Sequence, residues 1–361
     1  MGKHKFVLLL LVCFANAFAA NTPATGLYTI EGRTEITNDQ KIILIGSASS
    51  VGFKFSGNTC NLSLQAVDTW EHYNFVVFEL DGKYLRRQRI ESTAGSYTIT
   101  ANETGIHTLR IFKATEAANG NLVFSGATAQ KLLPMDALTG KKIEFIGDSI
   151  TCGMGNDLEI PCNTGQWFDQ HSAYFAYGPV AARGLQTRML LSSVSGYGMY
   201  RNWNDEHIEQ PVLPDVYDNL YLNLDASKKF NSTYNPDIVT ICLGTNDLSD
   251  GDGTKPRLPF DAAKFTNAYI AFIDKVYKQS PNARIVLLNS PMVSGERNMV
   301  LVKCLNAVAA AFANDIQHKP ISIFKFKPMQ PNGCGFHPNI ADDKIMADQL
   351  QPYLKKLLDE K

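Results

Sequence analysis

The sequence predicts a chain of two domains: a β-sandwich of jelly-roll type, followed by an α/β domain whose central parallel sheet is flanked by helices. Residues 26–124 contain short runs in which apolar and polar side chains alternate, a pattern typical of antiparallel strands. Beyond residue 139, strand-length and helix-length segments alternate. A length of 361 residues also approaches the limit of a single core. We therefore expect a β-sandwich over 20–132 and an α/β domain over 140–361, joined near 131–139.

Residues 1–19 have the features of a signal peptide. Lys3 and Lys5 precede an apolar run, and Ala17 and Ala19 provide the small residues of a cleavage site. The apolar run is shorter than the roughly 20 residues that cross a bilayer. No second run of that length follows in the sequence. We therefore expect an exported protein that is not inserted in a membrane.

Seven strand-length runs make up the predicted β-sandwich, separated by Gly, Asn, Asp or Ser. They are KIILIG (41–46), VGFKFS (51–56), NLSLQAV (61–67), YNFVVFELDG (73–82), YTITA (97–101), HTLRIFK (107–113) and NLVFSGA (121–127). Trp70, close to His72 and Tyr73, offers a stacking surface for a sugar. The alternative, which we favour, is an aromatic residue of the sandwich core or edge.

The second half alternates strands with helices. The predicted strands are KKIEFIG (141–147), RMLLSSVSG (188–196), DIVTICLG (237–244), ARIVLLNS (283–290) and ISIFKF (321–326). The predicted helices cover residues 173–185, 260–279, 299–315 and 340–358. This alternation indicates a parallel sheet covered on both faces. Ligands of such sheets bind beyond the carboxyl ends of the strands.

Charge and cysteine content narrow the classes of function. The chain has 34 basic and 35 acidic side chains and therefore no general attraction to a nucleic acid. Six of the seven cysteines lie beyond the signal peptide. The sequence favours a Cys152–Cys162 disulfide, with Cys304–Cys334 as a second choice and Cys242 as a buried free thiol. It contains no CxxC pair or His/Cys cluster typical of zinc, so we expect neither a metal nor a cofactor.

Four segments near predicted strand ends carry residue types suited to catalysis. Ser149 follows the first α/β strand, Gly196 ends the second, Asn246 follows the third, and His337 precedes the last helix. A serine held at a helix start can act as a nucleophile, while backbone N–H groups and a side-chain amide can stabilise an oxyanion. Taken alone, the serine is more often a helix cap, the asparagine more often a turn residue and the histidine more often structural, and a simple turn explains the glycine equally well.

The four blocks GDSI, GYG, GTND and FHPN, in this order, resemble the SGNH (GDSL-type) hydrolases. Longer runs are similar to carbohydrate esterase family 2: GDSITCGMGN, SGYGMYRNW, PDVYDNLYL, PDIVTICLGTNDLS and SPM, together with Cys162. In that family a small jelly roll precedes the catalytic domain. The resemblance covers nearly the whole mature chain and implies a serine esterase acting on carbohydrate esters.

The resemblance implies a role for each of these residues. Ser149 matches the nucleophile, and His337 matches the general base. The oxyanion hole would comprise the backbone N–H groups of Ser149 and Gly196 and the side-chain amide of Asn246. Gly198 replaces Gly196 if the match in the glycine block is shifted by two residues.

One position departs from the superfamily pattern. The superfamily usually has an aspartate two or three residues before the histidine, where this chain has Gly335 and Cys334. Some members of carbohydrate esterase family 2 likewise lack it, so we expect a Ser–His dyad with a backbone carbonyl on Nδ1–H of His337. Asp342 and Asp343 are alternatives, although both suit the first turn of the last helix better.

Three aromatic residues are candidates for the walls of a sugar-binding cleft. Phe336 precedes the histidine at a position that is often aromatic in the family, although core packing explains it equally well. Trp167 and Trp203 lie in predicted loops near the GDSI and glycine blocks. For Arg201 and Asn202 we expect a structural, hydrogen-bonding role.

The leading hypothesis is a secreted esterase that removes O-acetyl groups from polysaccharides such as xylan or glucomannan. A shallow acyl pocket would suit the small acetyl group. The first alternative is a broader GDSL esterase or lipase, whose activity would rise with acyl chain length. The second is a glycan-binding protein with a residual active site. We expect no nucleic-acid or membrane partner, and a metal-dependent deacetylase is disfavoured because no Asp/His/His ligand set is recognisable.

Overall fold

The structure is a computed structural model that describes residues 26–69, 71–136, 138–230 and 233–360. The predicted signal peptide and Trp70 lie outside the described residues. The chain forms an antiparallel β half and a parallel α/β half, as the sequence predicts. Among the helices described, none is both long enough and apolar enough to cross a membrane.

The N-terminal half is one antiparallel sheet. Its strands are β1 (Thr29–Glu31), β2 (Thr34–Ile36), β3 (Ile42–Leu44), β4 (Ser50–Val67), β5 (Tyr73–Leu80), β6 (Lys83–Glu91), β7 (Gly95–Lys113) and β8 (Asn121–Leu133). They pair in the order β2-β3-β8-β4-β7-β5-β6, with β1 against β4. An apolar cluster that includes Phe53, Phe78 and Phe124 forms the core of this half.

Long strands replace several of the predicted short ones. The predicted runs 51–56 and 61–67 both belong to β4, whose pairing with β7 shifts register between Gly57 and Thr59. This irregularity bends the strand without ending it. The prediction also missed β6, because its partly buried arginines hide the apolar alternation.

The second half contains a five-stranded parallel sheet with the order β10-β9-β11-β12-β13. Its strands are β9 (Lys142–Gly147), β10 (Arg188–Ser193), β11 (Ile238–Cys242), β12 (Arg284–Leu288) and β13 (Ser322–Phe324). Its helices are α1 (Ser149–Cys152), α2 (Tyr177–Gly184), α3 (Leu213–Val216), α4 (Thr245–Leu248), α5 (Ala262–Gln279), α6 (Gly295–Ala311) and α7 (Ile340–Asp359).

Helix caps and apolar stripes explain the two longest helices. The carboxylate of Asp261 accepts the N–H groups of Ala263 and Lys264 at 3.0 Å each and starts α5. The apolar face of α5 then buries aromatic and aliphatic side chains, among them Phe265, Tyr269 and Phe272. In α7, Asn339 and Asp342 form a reciprocal capping box. The apolar side chains of α5 pack in one cluster with those of β11 and β12, and those of α7 pack in another with those of β9 and β10.

The two halves share a hydrophobic core. One apolar cluster joins Phe75 and Phe112 of the β half to Phe145, Phe168 and Tyr174 of the α/β half. Polar contacts also cross the boundary. The Tyr73 hydroxyl donates to Asp169 at 2.8 Å, and the Ala173 N–H donates to the Ala114 carbonyl at 2.7 Å. The β half therefore packs against the α/β half as part of one folded unit.

The predicted cysteine pairing is wrong. A disulfide joins Cys162 to Cys334, which are 172 residues apart in sequence. Cys152 is the last residue of α1, where its thiol is buried and free. Cys162 lies on the loop between α1 and α2, and this loop contacts the segment before α7 that carries Cys334. Cys304 is also free and buried, so the second choice is wrong as well. Cys242 is a buried free thiol, as predicted.

Candidate active site

Ser149 and His337 are brought together at the carboxyl edge of the parallel sheet. Ser149 is the first residue of α1, directly beyond β9, and is 6% exposed. Its Oγ lies 2.7 Å from Nε2 of His337, across 188 residues of sequence. This is a normal hydrogen-bond distance for a serine and an imidazole that exchange a proton.

A backbone carbonyl orients the imidazole. Nδ1 of His337 lies 2.8 Å from the carbonyl oxygen of Gly335. Because a carbonyl only accepts, Nδ1 must carry the proton, which leaves Nε2 to accept from the Ser149 hydroxyl. Burial lowers the pKa of His337, although the Gly335 hydrogen bond opposes this effect. The imidazole is therefore biased toward its neutral, basic form.

The segment before His337 packs against the loop that follows α1. The Cys334 N–H donates to the Gly155 carbonyl at 2.8 Å. Gly155 has φ +69°, and a Cβ there would lie 2.4 Å from the Cys334 carbonyl oxygen. Only glycine permits this approach. The Cys162–Cys334 disulfide fixes the same segment from a second side.

The two carboxylates of the last helix serve other partners. Asp342 accepts the N–H groups of Asn332 at 2.7 Å and Asn339 at 3.1 Å. Asp343 is buried and accepts from the Asn156 amide at 2.9 Å and the Tyr177 N–H at 3.0 Å. Asp342 therefore organises the start of α7, whereas Asp343 joins α7 to Asn156 and to the start of α2, and the group on Nδ1 of His337 is a carbonyl.

Two backbone N–H groups near Ser149 are available to a ligand. Within the described residues, the N–H groups of Ser149 and Gly196 make no hydrogen bond to another protein group. Gly196 has φ +80° with open space around it. The N–H of Gly198, by contrast, donates to Oδ1 of Asn202 at 3.1 Å. Gly196 is therefore the better placed of the two glycines to stabilise an oxyanion.

The Asn246 amide lies in a polar network. It belongs to α4, beyond β11, and Nδ2 donates to the Tyr197 carbonyl at 2.9 Å and to Asp148 Oδ2 at 3.3 Å. Burial raises the pKa of Asp148 to about 7. Asp148 also caps α1 by accepting the Ile150 N–H at 3.1 Å. One carboxyl group thus contacts both the helix of Ser149 and the amide of Asn246.

Asp247 holds the loop that follows Gly196. Its buried carboxylate accepts the N–H groups of Met199, Tyr200 and Arg201 at 2.9–3.2 Å. Nε of Arg201 donates back to the Asp247 carbonyl at 2.8 Å, the structural role expected of it. Neither Asp148 nor Asp247 was predicted from the sequence to have a role. Their positions beside Ser149 and Asn246 in the GDS and TND blocks were the available signal.

The three aromatic candidates are exposed around this site. Phe336 directly precedes His337, has φ +61°, and is 86% exposed. Trp203 is 44% exposed, and its N–H donates to the Gly196 carbonyl at 2.8 Å. Trp167 is 43% exposed and packs edge-on against the buried His171, with ring centroids 4.9 Å apart. These surfaces can stack on sugar rings.

A recess of about 590 Å³ begins one residue before Asn246, although Ser149 and His337 are not among the residues that line it. It starts at Thr245, the neighbour of Asn246, and runs to the first turn of α6. Its lining combines apolar and polar side chains: Leu248, Ser249, Met292, Val293, Ser294, Glu296 and Arg297. The described residues contain no cluster of three or more His, Cys, Asp or Glu that could hold a metal ion.

Two family models match consecutive parts of the chain. The carbohydrate esterase 2 N-terminal model matches residues 30–135. The model of the GDSL-like lipase/acylhydrolase family matches residues 145–343, more than half of the sequence. Their boundary falls in the segment between β8 and β9.

Relatives with assigned names agree with these models. An acetylxylan esterase/glucomannan deacetylase from Cellvibrio japonicus is 28% identical over 270 residues, which cover 72% of each chain. Cellulase/esterase CelE from Acetivibrio thermocellus is 28% identical over 86% of this chain, which corresponds to 37% of CelE. A solved family two carbohydrate esterase from Clostridium thermocellum, in complex with cellohexaose, superposes with a TM-score of 0.80 at 26% identity, covering 92% of this chain and 99% of that one.

Proposed function

We propose that this chain, a member of the GDSL-like lipase/acylhydrolase family and of carbohydrate esterase family 2, removes O-acetyl groups from polysaccharides such as xylan or glucomannan. As a serine esterase, it needs a nucleophile, a base and donors for an oxyanion. The observation that carries the proposal is the Ser149–His337–Gly335 arrangement, with distances of 2.7 and 2.8 Å. The substrate class is proposed from the relatives named above.

Acylation begins when Nε2 of His337 takes the Ser149 hydroxyl proton as Oγ attacks the acetyl carbonyl carbon. The carbonyl oxygen becomes an oxyanion, which the N–H groups of Ser149 and Gly196 and the amide of Asn246 stabilise. To reach the oxyanion, the Asn246 amide must give up one of its two hydrogen bonds. The one it gives up is the bond to Asp148, which at 3.3 Å is longer than the 2.9 Å bond to the Tyr197 carbonyl. His337 then gives its proton to the departing sugar oxygen, and acetyl-Ser149 remains.

Deacylation repeats these steps with water. His337 takes a proton from a water molecule that attacks the acetyl carbon, and the oxyanion donors act again. When the bond from the acetyl carbon to Ser149 Oγ breaks, His337 returns this proton to Oγ, and the released acetic acid ionises to acetate. Throughout, the Gly335 carbonyl keeps Nδ1 protonated and Nε2 facing Ser149. A carbonyl stabilises the imidazolium less than an aspartate would, so the dyad depends more on its precise placement.

Phe336, Trp167 and Trp203 provide the proposed contacts with sugar rings. All three are exposed, and they lie on segments tied to His337 or Gly196. A polysaccharide substrate outside the cell also requires export of the enzyme. We therefore propose that residues 1–19 direct secretion, as their charge and hydropathy pattern indicates.

Acetate release from acetylated xylan and glucomannan tests the function. The wild-type protein is expected to release acetate from at least one polymer, and Ser149→Ala is expected to release none while keeping the wild-type circular dichroism spectrum. Retained turnover in Ser149→Ala would exclude Ser149 as the nucleophile. Failure of the wild type on both polymers would exclude the substrate class.

The absence of an acid from the dyad has its own test. Asp342→Asn is expected to leave kcat unchanged, because Asp342 contacts the N–H groups of Asn332 and Asn339 and an asparagine oxygen can still accept them. Loss of turnover in a variant with intact fold would show that Asp342 supports His337.

The recess beside Asn246 favours a second candidate function, a broader esterase. With a volume of about 590 Å³, the recess has room for an acyl chain longer than acetyl. Leu248, Met292 and Val293 give it an apolar lining that such a chain can contact. A series of 4-nitrophenyl esters separates the two functions. The deacetylase has its highest kcat/KM with acetate, whereas the broader esterase gains activity from acetate to octanoate.

A further inference from the structure

A turn of the β half reaches into the active-site region of the α/β half. It connects β7 to β8 and includes Glu116, whose side chain is fully buried. Oε2 of Glu116 accepts the Ser195 N–H at 2.6 Å and the Cys152 thiol at 3.1 Å. Both donors belong to the other half of the molecule.

These two donors flank the residues proposed to stabilise the oxyanion. Ser195 directly precedes Gly196, whose N–H donates to no other protein group within the described residues and beside whose Cα there is room for a ligand. Cys152 is the last residue of α1, and Ser149 is the first. One carboxyl oxygen therefore ties the glycine loop to the short helix of the nucleophile. A shift at Oε2 would move both N–H donors relative to each other.

The burial of Glu116 is electrostatically costly for a purely structural contact. A buried carboxylate loses its hydration, and an apolar side chain of similar volume often packs there at no loss of stability. The charge of Lys113, which is also fully buried, compensates part of this cost. Its Nζ donates to the backbone carbonyl of Glu116 at 2.5 Å and to Thr115. Oε1 lies 4.0 Å from Nε2 of His171.

We propose that Glu116 is a positioning residue for the esterase reaction, through which the β half sets the relative placement of the Gly196 and Ser149 N–H groups. The inference rests on the proposed function, because it assigns Glu116 a task in the same oxyanion hole. It makes the β half a part of the catalytic machinery. Accordingly, the reach of the Glu116 side chain matters more than its charge.

Two substitutions separate reach from charge. Glu116→Asp keeps the charge but withdraws the oxygen by one methylene, so kcat is expected to fall about tenfold to a hundredfold with KM almost unchanged. Glu116→Gln keeps an acceptor at the same reach, and its kcat is expected to stay near the wild-type value. The Glu116→Gln variant need not bury an uncompensated positive charge. Burial lowers the pKa of Lys113 to about 7, so Lys113 can lose its proton once the charge of Glu116 is removed.

Glu79 provides the matched control. It is a buried carboxylate at the same boundary, and it accepts the Tyr174 hydroxyl at 2.8 Å. Glu79→Asp makes the same change in chain length away from Ser149. It is expected to lower the melting temperature without lowering kcat.

Two readouts are measured for every variant: turnover of 4-nitrophenyl acetate, and the rate at which a fluorophosphonate labels Ser149. Labelling requires the nucleophile and the oxyanion donors but no sugar, so it tests the positioning role even if the polysaccharide assignment fails. If the wild type is labelled at Ser149 but deacetylates neither polymer, the polysaccharide assignment is wrong, and the positioning role of Glu116 is still tested by the labelling rates.

The proposal is overturned if Glu116→Asp keeps wild-type kcat and labelling rate, or loses no more than Glu79→Asp. It is also overturned if Glu116→Gln loses as much as Glu116→Asp, because charge would then be the operative property. Should Glu116→Asp not fold, Cys152→Ala removes one of the two donors and leaves the carboxylate in place. A labelling rate unchanged in Cys152→Ala would then refute the proposal.

Discussion

In the proposed mechanism, the protonation of His337 decides whether Ser149 can be activated. Burial lowers the pKa of the imidazole below its ordinary value of 6.5. Only the neutral form can accept the Ser149 proton, so a lowered pKa extends activity toward acid pH. We predict that kcat/KM falls on the acid side with an apparent pKa below 6.5, and the pH dependence of 4-nitrophenyl acetate hydrolysis measures it.

Labelling of Ser149 by a fluorophosphonate provides the control for this profile, because it requires the same neutral imidazole but no deacylation step. Both profiles should share one acid limb. An acid limb at or above 6.5 would contradict a pKa of His337 that is lowered by burial.

Ser149, Gly196 and Asn246 were predicted from their places after strands and from the family resemblance, and they remain the proposed reactive groups. In the structure they follow β9, β10 and β11, which are neighbours whose carboxyl ends meet at one edge. Glu116 carried no such signal. It lies in the β half, between β7 and β8, and only its tertiary contact with Ser195 indicates a role near Gly196.

Among the structural elements, the loop that bears Cys162 is linked to the segment of the histidine. Cys334 precedes Gly335, whose carbonyl orients His337. We predict that the Cys162→Ser/Cys334→Ser variant loses about 2–4 kcal/mol of unfolding free energy, because the unfolded chain gains freedom. We also expect a lower kcat, because the Gly335 carbonyl is then held by backbone contacts alone. Urea unfolding and steady-state kinetics measure the two effects.

Reduction of the wild type is the internal control. Dithiothreitol should reproduce the loss in the wild type and leave the double variant unaffected. Equal unfolding midpoints for the reduced and oxidised wild type would contradict a stabilising disulfide at this position.

The elements differ in how well local sequence predicts them. The parallel strands were each recognisable as short apolar runs. Burial on both faces makes these runs continuous in β9, β10, β11 and β12, whereas the edge strand β13 is only partly buried. The long strands β4 and β7 were each divided in two, because polar residues at the bend resemble a turn. The disulfide partner of Cys162 could not be chosen locally, since 172 residues separate the two cysteines.

For the molecule as a whole, the boundary between the halves is a packed core. Phe75 and Phe112 pack into the same cluster as Phe145 and Phe168, and Glu116 and Arg33 carry charge across the boundary. Many two-domain chains have more polar and more mobile interfaces. Here the β half supports the α/β half in both stability and, as proposed, catalytic geometry.

Arg33 offers the sharpest test of that coupling. It lies between β1 and β2, fully buried, and donates to the carbonyls of Asn219 and Tyr217 at 2.8 and 2.9 Å. Nε and one terminal nitrogen of the Arg33 guanidinium donate to Oγ of Ser192 at 3.3 and 2.9 Å. The Ser192 hydroxyl in turn donates to Glu144 at 2.6 Å. Burial lowers the pKa of Arg33 to about 10, so it remains charged at neutral pH and compensates Glu144.

We predict that Arg33→Leu lowers the unfolding free energy by about 3–5 kcal/mol, because it leaves Glu144 buried without a counter-charge. Glu144→Gln in the same chain should recover part of this loss, and urea unfolding of the four variants of the cycle measures the coupling. Lys54→Met, which removes a surface ion pair with Asp136, is the control and should unfold like the wild type. If Arg33→Leu also unfolds like the wild type, the two halves do not depend on this charge, and the shared apolar core alone joins them.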